Sequence, residues 1–327
     1  MSTSRQIQLV RRPVGVPVPA DFALVEVETP DAADGQVMVQ ALLMSVDPYM
    51  RGRLNADQPL NASMLGGGIG RVVQSKNERF QVGDIVRHGA GMQERFISDG
   101  RGLQVLNPDP ELSLTVYMHA LGGTGVTAYG GLLGTGALKD GEQVFVSTAG
   151  GAVGSAAAQI AKIKGCYVVG ATGTDEKAAW LRDDVGLDAV INYKTQNLAE
   201  ALAAATPKGI DVYFENVGGE HLDAALPRMN VRGRIPVCGM ISTYNGDGVG
   251  VKNLSAMIYS RVRMEGFVAG DFPQLQADFL RDMTAWLKDG RVKYQETILD
   301  GFERAPEGLI GLFSGLNAGK MLIRVAD

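Results

Sequence analysis

The alternation of apolar and polar residues changes rhythm once along this chain. In the first third it has a period of two, in short runs at 23–28, 36–42, 70–74, 82–87 and 94–98, with Gly and Asp at the joints. That period predicts strands, and strands so short and evenly spaced predict a small barrel or sandwich. After about Asp109 the rhythm becomes apolar strand, helical pattern, apolar strand, with strands expected at 144–148, 167–171, 189–192, 212–216, 234–238 and 263–268. Strands that alternate with helices predict a parallel sheet covered on both faces. Six of them fit a doubly wound dinucleotide fold. A further strand at 320–325 stands alone and is expected to return to the first domain. With 327 residues the chain exceeds one ordinary core. Two domains are expected: 1–118 plus 299–327, and 119–298.

The joint after the strand at 144–148 reads Ser147-Thr-Ala-Gly-Gly-Ala-Val-Gly-Ser155. Gly151 and Gly154 fall at the spacing of a dinucleotide fingerprint, with Ala149 in its first glycine position, and the turn follows a strand and opens a helix. Gly151 would let the backbone approach a pyrophosphate, while the helix start supplies N–H groups and positive dipole. Gly154 would allow the helix to pack closely on the strand. The next strand ends Gly170-Ala-Thr-Gly173 and lacks the carboxylate that holds an unphosphorylated ribose. Thr174 and Lys177 follow at once, and Tyr193 ends the third strand. A 2′-phosphate suits small donors and a cation, so NADPH is the expected cofactor. Thr174 also reads as a helix cap, with Asp175 and Glu176 behind it.

Composition narrows the partners. Charged residues make up 20% of the chain, the net charge is −5, and no long basic run occurs. Nucleic acid and anionic membranes are therefore not expected partners. The N-terminus carries no apolar signal-peptide core. Residues 112–138 lack charge, but seven glycines and a histidine mark them as a packed segment and not a membrane span. Cys166 and Cys238 sit in apolar runs and read as buried thiols suited to a reducing cytoplasm.

His88, His119 and His221 are the only histidines, and no set with Cys or Glu forms a credible zinc site. No metal is expected, and the histidines read as surface or structural. Gly315-Leu-Asn-Ala-Gly-Lys320 is one residue short of a phosphate-binding loop, with a strand where a helix should follow. Hydride transfer without a metal is what remains.

Seven stretches then occur in order: Ser45–Arg51, Ala149–Gly154, Asn192–Lys194, Glu215–Gly219, Cys238–Asn245, Arg263–Phe267 and Asn317–Lys320. Together they make nearly the whole chain resemble the zinc-independent medium-chain reductases that include prostaglandin reductases, plant alkenal double-bond reductases and bacterial curcumin reductase. The resemblance implies a GroES-like barrel domain, an NADP-binding Rossmann domain and, usually, a homodimer. It implies NADPH-dependent reduction of the C=C bond of α,β-unsaturated aldehydes and ketones. It places Gly151, Ala152, Val153 and Gly154 on the pyrophosphate, Lys177 and Tyr193 around the 2′-phosphate and adenosine, and Asn216 beside the ribose and nicotinamide. Cys238, Gly239, Ile241, Ser242, Thr243 and Tyr244, with Phe267, Val268 and Ala269, would border the nicotinamide, and Asn317 would close over it. One departure stands out. Many relatives carry a proline-rich loop where this chain has Asn245–Lys252, a loop expected to border the substrate.

Conjugate reduction delivers hydride to the β-carbon and gathers negative charge on the carbonyl oxygen. The site must offer that oxygen a donor, and a tyrosine hydroxyl is neutral at pH 7. Tyr244, after the fifth strand at the carboxyl edge of the sheet, is the first candidate, with Tyr259 and Tyr49 as second candidates. Arg51 reads as a surface residue or as an anchor for a polar substrate tail. A quinone reductase, a carbonyl reductase and a non-catalytic NADPH-binding sensor are the competing readings.

Overall fold

The structure is a computed structural model that describes residues 2–246 and 248–326. Its strands are β1 (Ser2–Leu9), β2 (Phe22–Thr29), β3 (Val37–Ser45), β4 (Gly68–Ser75), β5 (Ile85–His88), β6 (Arg95–Ser98), β7 (Gln104–Leu106), β8 (Gln143–Val146), β9 (Tyr167–Thr172), β10 (Ala189–Asn192), β11 (Ile210–Phe214), β12 (Met229–Val237), β13 (Arg263–Gly266), β14 (Glu296–Asp300) and β15 (Lys320–Arg324). The α-helices are α1 (Met50–Ala56), α2 (Gly123–Gly130), α3 (Ala152–Ile163), α4 (Asp175–Asp183), α5 (Leu198–Ala205), α6 (Gly219–Ala225), α7 (Ala256–Ser260), α8 (Gln276–Lys288) and α9 (Ala305–Ser314). The chain divides into two compact units. One comprises Met1–Met118, Glu296–Asn317 and Met321–Asp327, the other His119–Gln295 and Ala318–Lys320.

The first unit is antiparallel β structure. Its larger sheet runs β14-β15-β3-β4-β5-β7, with β6 also on β3, and β1 pairs with β2. The long strand β3 bonds β4 along one edge and gives its other edge to β6 at Val37–Gln40 and to β15 at Leu43–Ser45. The isolated strand expected at 320–325 is therefore β15, returned to β3. Ile7, Leu9, Met44, Met50, Leu54, Phe302 and Leu309 fill the main core of this unit.

Several expectations in this unit need correction. β5 starts at Ile85 and not at 82, because Gln81–Asp84 form a turn in which the Asp84 side chain accepts from Gln81 N–H and Gly83 takes φ +100°. Arg51 is 3% exposed, not a surface residue, and its guanidinium donates to the carbonyls of Gly15 and Pro13. His88 is also buried, with its ring against Phe96 at 4.7 Å and Nδ1 accepting from Ala90 N–H. His119 and His221, in the second unit, are buried as well, so none of the three is a surface residue.

The second unit holds the six expected parallel strands in the order β10-β9-β8-β11-β12-β13. This is the 3-2-1-4-5-6 order of a dinucleotide fold, whose ligands bind beyond the carboxyl ends of the strands where the order reverses, here between β8 and β11. Buried apolar runs explain the central strands. Val144–Val146 and Val168–Ala171 are covered on both faces, and Phe145, Val169, Ile191, Tyr213 and Ile235 join one core. At the far edge, no residue of β13 is buried. Among the described residues no helix is long and apolar enough to cross a membrane.

Candidate active site

The glycine loop begins with a strained residue. Thr148, directly after β8, takes φ +51°, which a β-branched side chain adopts at a cost of about 1–3 kcal/mol. Its carbonyl accepts from Gly151 N–H at 2.9 Å and lies where a side chain on Gly154 would collide with it. Gly154 is therefore required for α3 to start this close to β8. Gly151 caps α3 in extended conformation and offers no side-chain acceptor. The first-turn amides of Ala152, Val153 and Gly154 are left as the anion-binding groups of a helix start. From further along the chain, Gly319 pairs with Gly151 as an isolated bridge and donates to the Gly150 carbonyl at 3.1 Å.

Two cations meet beside this loop. Lys177 packs against Gly150, where an added Cβ would lie 3.1 Å from its side chain and 2.9 Å from the Thr172 hydroxyl. Burial lowers the Lys177 pKa, and the charge of Lys194 lowers it further. Lys194 approaches from the end of β10. A Cβ on Gly173 would lie 3.3 Å from its Cε and 2.7 Å from the Tyr193 hydroxyl. Two ammonium groups brought together next to a helix start and two threonines suit a doubly charged anion. A 2′-phosphate fits this donor set.

Thr174 does cap α4, with its hydroxyl accepting from Lys177 N–H at 3.3 Å. One of the two acids in the first turn of α4 is occupied elsewhere, since Asp175 accepts from the Asn192 side chain at 2.7 Å. Tyr193 meets the buried ring of His221 edge-on at 4.8 Å. Its hydroxyl pKa is raised by burial.

The next loop joins the ends of β8, β11 and β12. Asn216 donates through its backbone to the Ser147 hydroxyl and through Nδ2 to the Ser147 carbonyl, at 2.9 and 2.7 Å. The segment after β12 docks on it. Ile241 N–H donates to the Asn216 carbonyl at 3.2 Å, and the Ser242 hydroxyl donates to the Val217 carbonyl at 2.6 Å. Gly218 and Gly219 make room for this contact with φ of +73° and +50°. The Cys238 thiol is pushed up to about 12, by burial first and then by the charge of Glu215, so it is a neutral thiol and no nucleophile at pH 7. Thr243 closes a one-turn helix by donating to the Met240 carbonyl at 2.8 Å. Tyr244 then folds back. Its hydroxyl accepts from Met240 N–H at 3.4 Å and leaves 3.0 Å for a Cβ on Gly239. Its pKa is raised, mainly by burial.

Phe267 follows β13. Its ring lies 6.0 Å from Phe214 and 5.7 Å from Phe272, in space that a side chain on Gly131 would fill. Val268, beside it, is 66% exposed, and Ala269 opens a short turn held by Asp271, which accepts from Val268 N–H at 2.8 Å.

The carboxyl ends of the parallel strands thus gather the glycine loop, Lys177, Tyr193, Asn216, the run Cys238, Gly239, Ile241, Ser242, Thr243 and Tyr244, and Phe267 to Ala269. Tyr259 stands apart, 79% exposed on α7, which leads into the amino end of β13. Tyr49 caps α1 in the first unit, 52% exposed, its pKa raised by burial and then by Asp47. Asn317 lies in the first unit, in the turn between α9 and β15. Sequence reasoning missed Lys194, whose signal was a second cation directly after the third strand. It also passed over Ser147.

A sheet of this order with a glycine loop and a cation pair defines a dinucleotide-dependent oxidoreductase fold. Residues 5–106 match the family described as "N-terminal domain of oxidoreductase", and residues 152–288 match "Zinc-binding dehydrogenase". The NADPH-dependent curcumin reductase of Escherichia coli (strain K12) is 41% identical over 99% of this chain and 97% of its own. The 2-alkenal reductase (NADP(+)-dependent) of Nicotiana tabacum is 39% identical over 99% and 98%. The crystal structure of CurA in complex with NADPH from Vibrio vulnificus superposes with a TM-score of 0.93, at 38% identity and 99% coverage of both chains. The chain belongs to the zinc-independent medium-chain dehydrogenase/reductase family. Among the described residues, no group of three or more His, Cys, Asp or Glu could hold a metal ion.

Proposed function

We propose that this chain is an NADPH-dependent reductase of the C=C bond in α,β-unsaturated aldehydes and ketones. The observation that carries the reading is the Tyr244 hydroxyl. It receives Met240 N–H on its lone pair, so its own proton can be donated to a developing oxyanion. Relatives named for curcumin and 2-alkenal reduction support the substrate class. CurA with NADPH, and the pairing of Lys177 with Lys194, support the cofactor.

When bound, NADPH supplies the hydride. The chain's residues do the rest. The amides of Ala152, Val153 and Gly154 hold the pyrophosphate, which the missing side chain of Gly151 lets approach, and Lys177, Lys194 and Tyr193 hold the phosphorylated adenosine. Asn216, Cys238, Gly239, Ile241, Ser242, Thr243, Phe267, Val268 and Ala269 orient the nicotinamide, with Asn317 closing the site. Tyr244 donates to the carbonyl oxygen as negative charge reaches it. In this reading residues 119–298 bind NADP, and 1–118 with 299–327 form the catalytic domain. The exposed edge strand β13 supports a homodimer, and the free thiols Cys166 and Cys238 support a cytoplasmic setting.

The test is incubation with NADPH and 3-nonen-2-one, with the product identified by mass spectrometry and retention time. Saturated ketone is expected. Allylic alcohol would replace this reading with carbonyl reduction, and cofactor binding without product would replace it with quinone reduction or a sensor.

A further inference from the structure

Glu215 is fully buried at the carboxyl end of β11, and the reaction outlined above does not use it. Its position ties together three strand ends. Oε1 accepts from Val217 N–H at 2.6 Å and from the Ser147 hydroxyl at 3.0 Å. The same Ser147 hydroxyl accepts from Asn216 N–H, and the Ser147 carbonyl accepts from the Asn216 side chain. The Glu215 carbonyl accepts from the N–H groups of Cys238 and Gly239, at 2.9 and 3.2 Å. One residue thus fixes the strand end that enters the glycine loop, the Asn216 loop, and the start of the segment that carries Tyr244.

We propose that Glu215 is a positioning residue that sets the Asn216 loop against the Ser147 strand end for cofactor binding. The inference rests on the reading of this site as an NADPH site. Oε1 makes both of the side-chain bonds that tie these strand ends together. Oε2 makes no bond of ordinary geometry, and the group that faces the carboxyl there is the buried Tyr213 hydroxyl, whose pKa is raised by burial and then by the charge of Glu215. The holding groups on Oε1 are both donors, and an amide oxygen accepts from them as a carboxylate oxygen does. A glutamine would therefore keep both contacts, and its NH₂ would face the Tyr213 hydroxyl, which can accept as well as donate. Charge is not what the position needs; an acceptor at Oε1 is.

The experiment measures NADPH dissociation constants without substrate, by fluorescence titration, together with kcat, KM and thermal melting, for wild type, Glu215→Gln, Glu215→Ala and Ser147→Ala. Glu215→Ala is expected to raise the NADPH Kd tenfold or more. Ser147→Ala, which removes a smaller group and keeps Glu215, is expected to raise it at least threefold. Glu215→Gln is expected to stay within threefold and to retain wild-type kcat within the same factor. A lower melting temperature with unchanged Kd in both alanine variants would reduce Glu215 to a structural role and overturn the proposal. Glu215→Gln as impaired as Glu215→Ala would overturn it too, in favour of the charge. If Glu215→Ala does not fold, the Ser147→Ala and Glu215→Gln results decide. Failure of wild type itself to bind NADPH would strike the NADPH reading instead, so the two failures are distinguishable.

Discussion

The hydroxyl of Tyr244 accepts a hydrogen bond from the backbone N–H of Met240 at 3.4 Å, only four residues back along its own chain. The one-turn helix Ile241–Thr243 makes this possible by reversing the segment, and Gly239 leaves the hydroxyl its space. The phenol is thereby oriented before any substrate arrives. Its proton takes no part in that bond.

Removing that hydroxyl should separate chemistry from binding. Tyr244→Phe is expected to lower kcat by about 10- to 100-fold, the range of a modest acid contribution, because water or a ribose hydroxyl can still protonate the enolate. The NADPH Kd should stay within about threefold, since the reversal of the segment does not depend on the phenol. Steady-state kinetics on 3-nonen-2-one checks both, and an unchanged kcat would remove Tyr244 from its role.

Lys177→Ala and Lys194→Ala should each cost NADPH affinity and leave NADH affinity nearly unchanged. A charged hydrogen bond to phosphate is worth about 1.5–3 kcal/mol, or roughly 10- to 100-fold. The loss should shrink as salt is raised. Titration of both cofactors at two ionic strengths is the measurement. Equal losses for NADH and NADPH would point to disruption of the loop and not to a phosphate contact.

Gly154→Ala should be felt in both stability and binding, because the new Cβ meets the Thr148 carbonyl and must push α3 off β8. Overpacking of this kind costs about 1–3 kcal/mol. Gly89→Ala, where nothing lies within 4 Å, is the control expected to be neutral. Chemical denaturation compares the two variants. Similar stability for both would show that the helix start shifts without cost.

Acid should weaken each unit through one buried histidine. Burial lowers His88, in the first unit, and His221, in the second, to about 4. The unfolded chain binds those protons near 6.5, so the stability is present above that pH and is lost as pH falls from about 6.5 toward 4. Each histidine should remove about 2 kcal/mol between pH 7 and pH 5. Urea unfolding at pH 7, 6 and 5 reads this directly. A flat profile would mean that both rings protonate in place.

The sequence was legible where a single period governed a segment. The parallel strands were readable because β8 to β11 are largely apolar runs set between helical repeats, and the glycine loop because only small residues fit beside Thr148. Legibility failed where neighbours decide. Ser2–Leu9 reads as polar, yet Ser4 is buried with its hydroxyl donating to the Arg95 carbonyl, and Ile7 and Leu9 enter the core. A β-strand was hidden there by polar residues satisfied across the sheet. Arg51 looked like a surface residue because nothing local announces the carbonyls of Gly15 and Pro13. Lys194 was quoted in a motif but not as a cation facing Lys177, since the two meet only once β9 and β10 are paired. Tyr259 fits a functional spacing, but its placement on an exposed helix follows from the loop before it, which no period describes.

Gly319 has a consequence for the order in which the protein matures. Its N–H completes the glycine loop at the Gly150 carbonyl, yet it lies downstream of all six strands of the sheet that it serves. A nascent chain can pair β8 through β13 and still lack the last fastening of its nucleotide loop. Domains generally fold as units from the N-terminus during synthesis. Here every residue of the sheet is synthesised before Gly319 is, so this fastening is the last of the loop's contacts to become available.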